Sequence, residues 1–94
     1  MNKQNLIEKS GDLTFANHLK MLTSEQVALL LNVGIDQVTM LRETGVLKPI
    51  KTGKNYMFSQ SEIERFQAEY IGLDCSNRIK ALESLESVKT LQGS

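Results

Sequence analysis

Tryptophan is absent from this 94-residue chain, and cysteine, proline and histidine occur once each. A lone Cys75 cannot close an internal disulfide, which points to a reducing compartment and to an inert small side chain. The single His18 has no acidic or thiol partner at ligand spacing, so no metal site is expected. No apolar run approaches the roughly 20 residues that span a bilayer, and no signal peptide pattern opens the chain. A cytoplasmic protein is the expectation. Charge of one sign is lacking too: eleven basic and eleven acidic side chains cancel, so any footprint on nucleic acid has to be local. There is no His and Cys pair, no paired carboxylate with an evident cleft, and no glycine-rich phosphate cradle, since Gly53 sits singly in a turn. These absences exclude a catalytic constellation, and neither an enzyme nor a cofactor or small-molecule ligand is expected. The length fits one domain with a small core.

What is present is a run of helix signals from Leu22 to Phe66. Thr23 is a good N-cap, with Gln26 three residues later completing a capping-box pattern. Val27, Ala28, Leu30 and Leu31 then share a broad face at helical spacing. Asn32 tolerates the left-handed conformation of a helix stop, Val33 is expected in the core, and Gly34 can cap the next helix. That second helix runs from about Ile35 to Thr44, with Val38 and Leu41 inward and Gly45 as its stop. A tight turn between two crossed helices follows from this pattern.

Lys48 to Ser59 has hairpin chemistry. Lys48-Pro49-Ile50-Lys51 and Tyr56-Met57-Phe58 are short β-favouring runs separated by the turn residues Thr52-Gly53-Lys54-Asn55. Pro49 suits only an edge or a strand entry. Between Glu43 and Glu62 the only charged residues are Lys48, Lys51 and Lys54, the most basic patch in the chain. Ser59 with Glu62, or Ser61 with Glu64, opens a third helix that buries Ile63 and Phe66 and ends by Gly72. Glu62, Glu64 and Glu69 are expected to face solvent.

The spaced set Leu22-Thr23, Val27-Ala28, Leu30-Leu31, Val33, Val38, Leu41, Gly45-Val46-Leu47, Lys48-Pro49, Tyr56, Phe58, Ile63 and Phe66 resembles the excisionase and MerR-like group of small bacterial winged-helix DNA-binding domains. The resemblance covers about half of the chain. It implies a mainly α fold: a winged helix-turn-helix with a two-stranded β-hairpin wing and a C-terminal helix. It also implies double-stranded DNA as partner, and a role as transcription regulator or as an excision factor that bends DNA for a recombinase.

Under that reading, Lys48, Lys51, Lys54, Asn55 and Tyr56 make up the DNA-binding wing: Lys51 and Lys54 meet phosphates at its tip, and Tyr56 either gives a hydroxyl to the backbone or packs beneath the hairpin. On a helical wheel the second helix turns Ile35, Asp36, Thr39, Met40 and Glu43 outward, two acids among them, with Gln37 and Arg42 on the flanks. Gln37, Thr39, Met40 and Arg42 are the candidates for base and phosphate contact: Gln for adenine, Arg for guanine or phosphate, Met for a thymine methyl. A reading of another class stands beside it. Leu29, Ile35 and Met40, all expected to be exposed, also suit a protein-interaction module that keeps the winged fold.

Three segments follow from the boundaries: an N-terminal extension over 1–21, the winged domain over 22–72 and an amphipathic C-terminal segment over 73–94. In the first, Asp12 or Thr14 is expected to cap a short helix that packs Phe15 and Leu19 on the domain. In the last, Asp74 or Ser76 opens a helix carrying Ile79, Leu82, Leu85, Val88 and Leu91. Spacing of three drifts around a helix, so a regular coiled coil is not supported. This helix either folds back on the domain or pairs with a second copy through Ile79, Leu82, Leu85 and Val88, and related regulators favour a homodimer. Residues 92–94 are expected to fray.

Overall fold

The computed structural model describes residues 17–93. After a 3-10 turn at Asn17–Leu19 come strand β1 (Leu22–Thr23), helix α1 (Ser24–Leu31), helix α2 (Ile35–Thr44), strands β2 (Ile50–Lys51) and β3 (Tyr56–Phe58), helix α3 (Gln60–Glu69) and helix α4 (Arg78–Gly93). The expected short helix around Phe15 lies outside the described residues, and Leu19, expected in the core, is exposed. Among the described residues no helix is long and apolar enough to cross a membrane.

Local chemistry sets the helix ends. The Thr23 side chain accepts from the Gln26 backbone N–H while the Gln26 side chain accepts from the Thr23 N–H, a complete capping box. Asn32 closes α1 in the left-handed region at φ 59°, and its N–H returns to the α1 carbonyls. Gly34 then caps α2, and Gly45 ends it at φ 94°, a conformation that costs an L side chain strain. Ser59 caps α3 by accepting from the Glu62 N–H. The start of α4 differs from expectation. Asn77, not Asp74 or Ser76, accepts from the Lys80 N–H and caps it, while Asp74 accepts from the Ser76 N–H in the preceding loop. The helix extends as far as Gly93.

The hairpin wing is part of a three-stranded antiparallel sheet in the order β1-β3-β2. Leu22 pairs with Phe58 and Thr23 with Met57 on one side of β3; Ile50 pairs with Met57 and Lys51 with Tyr56 on the other. The third strand hides from sequence because two residues carry no periodicity. Pairing with β3 alone makes them a strand.

Phe58, Leu47, Val27, Val38 and Val46 form the fully buried centre. Around it one cluster extends from α1 to Ala81 and Val88 of α4. Burying such side chains stabilises the fold by about 1.5–3 kcal/mol each. Three expected core positions are instead exposed or half-exposed: Leu30 at 59%, Val33 at 38%, and Leu31 only partly covered. The first helix buries a narrower stripe than its apolar run suggests.

Arg65 binds α3 to the segment following α2. Its guanidinium donates to both Glu62 oxygens, to Glu69 and to the Val46 carbonyl. Glu62 and Glu69 are therefore not the solvated acids the sequence suggests. Burial alone would raise the Glu62 carboxyl, but hydrogen bonds from Arg65 and the Lys48 N–H, with the Arg65 charge, carry it below the ordinary glutamate value.

The C-terminal helix folds back. α4 packs against α2; Ala81, Ser84 and Val88 are its buried residues, and Leu85 stands beside Gly45. The buried Ser84 hydroxyl is satisfied by donating to the Asp74 carbonyl at 2.8 Å. The four residues expected to form one dimer seam thus fall on two faces. Val88 and Leu85 serve the chain's own core, whereas Ile79 and Leu82 point outward at 70% and 44% exposure.

Candidate nucleic-acid interface

α1, the turn at 32–34 and α2 make the helix-turn-helix, and the β2–β3 hairpin lies beside its second helix. Because Lys51 and Tyr56 are directly paired across the hairpin, their side chains share one sheet face. That face looks toward α2. The Arg42 guanidinium lies 4.0 Å from the Tyr56 ring centroid and the Lys51 ammonium 5.3 Å from it. One aromatic ring thereby gathers a cation from the helix and a cation from the wing, each contact contributing about 0.5–1 kcal/mol where solvent reaches it. Between the two elements lies a polar hollow of about 240 Å³ bordered by Thr23, Glu25, Thr39, Arg42, Lys54 and Asn55.

The structure brings Thr39, Arg42, Lys51, Lys54, Asn55 and Tyr56 to this one surface. Lys51, Lys54 and Asn55 are exposed. Lys48 is not with them; it borders a separate hollow with Gly45, Glu69 and Lys89, and its backbone N–H donates to Glu62.

Two expected contact residues of α2 are turned elsewhere. Gln37 donates its side-chain amide to the carbonyls of Ser76 at 2.8 Å and Cys75 at 3.3 Å, so it tethers α2 to the loop before α4. Met40 is only 9% exposed and belongs to the core. A wheel that places Val38 and Leu41 inward assumes one narrow buried face, whereas the buried part of α2 extends to Met40 and α4 also packs against this helix. What stays outward is Ile35, Asp36, Thr39, Arg42 and Glu43. The alternative protein-contact patch is broken by the same packing: Leu29 stands at 82% and Ile35 at 41% exposure, but Met40 is inside.

Sequence reasoning missed one residue of this surface. Arg78, at the start of α4, reaches Glu43 across 35 positions of chain and pairs with it at 2.9 Å. That hydrogen bond draws the Glu43 carboxyl below its usual range. No local signal marks the pair, because it forms only when α4 docks.

The chain is similar to two proteins named Early upstream open reading frame. That of Chlamydophila psittaci (strain ATCC VR-125 / 6BC) is 29% identical over 76 residues, covering 81% of this chain and 42% of that protein. That of Chlamydia caviae is 30% identical over 70 residues, covering 74% of this chain and 39% of that protein. An uncharacterized protein of Chlamydia pneumoniae is similar at 29% over 76 residues. The chain therefore spans less than half the length of the curated relatives it matches. No solved structure matches it at a significant level. The family described as Helix-turn-helix domain matches residues 21–70, the stretch that holds the sheet and the first three helices. With more than half of the chain in that match, the chain belongs to the helix-turn-helix domain family.

Proposed function

We propose that this chain binds double-stranded DNA as a sequence-reading regulator or excision factor of the excisionase and MerR-like kind. α2 lies in the major groove with Ile35, Thr39 and Arg42 toward the bases, and the wing lays Lys51, Lys54 and Asn55 along the phosphate backbone. The observation that supports this most is the stacking of Arg42 on Tyr56. It joins the outward strip of α2 and the wing into one continuous surface and holds a bidentate donor at the seam, suited to guanine or to phosphate. Assembly of copies, as a dimer or an array along the duplex, is left to Ile79 and Leu82, because Leu85 and Val88 are used inside the chain.

The test is fluorescence anisotropy with a random-sequence duplex, titrated between about 50 and 200 mM salt. Binding that weakens steeply with salt is expected; no binding at the low end would overturn the reading. A protein-docking role draws support from the exposure of Leu29 and Ile35. In that case Leu29→Glu would abolish capture of a partner while leaving DNA binding intact.

A further inference from the structure

The outward strip of α2 carries two carboxylates, Asp36 and Glu43, against a single cation of its own, Arg42. Left so, it has a net charge of −1, being one positive and two negative groups. Carboxylates facing a duplex meet phosphate repulsion, so such a strip opposes the approach on which the DNA reading depends. A side chain from outside the helix-turn-helix changes the balance. Arg78 sits on the first turn of α4 with its Nη2 2.9 Å from Glu43 Oε1. Two positive and two negative groups bring the strip to zero.

The pair is not there for stability. Both side chains are about half exposed, at 55% for Arg78 and 45% for Glu43, and ion pairs in that setting contribute little to folding. α4 is already secured by Ala81, Ser84 and Val88 in the core, and the Gln37 tether fixes the loop that leads into it. Those contacts hold Arg78 within reach of Glu43 without help from the pair itself.

We propose that Arg78 is a positioning residue for DNA recognition, which neutralises Glu43 and so makes the face of α2 acceptable to the phosphate-lined groove. This role rests on the DNA-binding reading. It makes α4 part of the recognition surface even though the helix need not touch DNA, and it assigns Glu43 as the group through which Arg78 acts.

A double-mutant cycle tests it, using the full chain, a labelled random-sequence duplex and about 100 mM salt, with thermal melts of each variant alongside. Arg78→Gln should weaken binding by about tenfold, with the melting temperature little changed. Arg78→Lys, which keeps the charge, should recover most of the loss. Glu43→Gln should bind as well as wild type or better, and Glu43→Gln with Arg78→Gln should return to within about twofold of wild type. If the double variant instead remains as weak as Arg78→Gln, removing Glu43 does not relieve the loss, Arg78 acts on DNA without Glu43 and the proposal is overturned. If wild type binds and Arg78→Gln binds equally, this role alone falls. If wild type does not bind, the role falls together with the DNA reading.

Discussion

Substituting Gln37 separates two accounts of the same residue. As a base reader on the flank of α2, Gln37→Ala would relax the preference at one position of the DNA site. As a tether, it holds α2 to the loop before α4 through the Ser76 carbonyl at 2.8 Å and, more weakly, the Cys75 carbonyl at 3.3 Å. A neutral hydrogen bond of this kind contributes about 1 kcal/mol net, and the longer one less, so Gln37→Ala should cost about 1–2 kcal/mol. In a chain of this size each kcal/mol corresponds to about 4–8 °C in melting temperature. Gln37→Glu should cost more than Gln37→Ala, because a carboxylate offers no donor to the two carbonyls and repels them. Thermal unfolding followed by circular dichroism, paired with site selection from a random duplex pool, reads both quantities. An unchanged melting temperature together with a relaxed preference at one base would refute the tether and restore Gln37 to the DNA surface.

Val38→Asp should unfold the chain, since it places an unpaired carboxylate at a fully buried position; loss of helical circular dichroism is the readout. Truncation after Gly72 should destabilise the remainder rather than yield a well-folded monomer, because it removes Ala81 and Val88 from the core cluster. Lys51→Ala and Lys54→Ala should each lower the salt slope of DNA binding by about one unit, whereas Lys48→Ala should leave the slope unchanged. Glu62 gives a pH dependence of definite sign. Its folded-state carboxyl is lowered, so its contribution is complete above the unfolded-state value of about 4.3 and is lost as pH falls through the folded-state value. The stability gap between wild type and Glu62→Gln should therefore be full at neutral pH and shrink below about pH 4.3, as measured by urea unfolding.

What the sequence made legible is what short-range chemistry decides. Thr23 with Gln26, Asn32, Gly34 and Gly45 set the ends of α1 and α2 within a few residues of themselves, and the order of helix, turn, helix, hairpin and helix follows from them. The hairpin was readable for the same reason, since Thr52-Gly53-Lys54-Asn55 supplies its own turn. The parts that were not legible all depend on one long-range event, the docking of α4. It brings the Ser76 carbonyl to Gln37 and couples Arg78 to Glu43. The largest apolar side chains dominate the pattern of α4, yet two of them, Ile79 and Leu82, are exposed. Two small residues, Ala81 and Ser84, are the ones buried instead. The candidate surface was half readable: the wing lysines and Arg42 stood out by charge, but the stacking of Arg42 on Tyr56 needed the fold.

If the outward strip of α2 and the wing form one DNA-binding surface, a single duplex should perturb both together. Backbone-amide NMR of the full chain during titration with a short duplex reads this directly. The largest shifts should fall at Ile35, Thr39 and Arg42 and across 51–55, with Leu29 and the outer side of α4 unmoved. Shifts confined to Leu29, Val33 and neighbouring residues, or none at all, would contradict it.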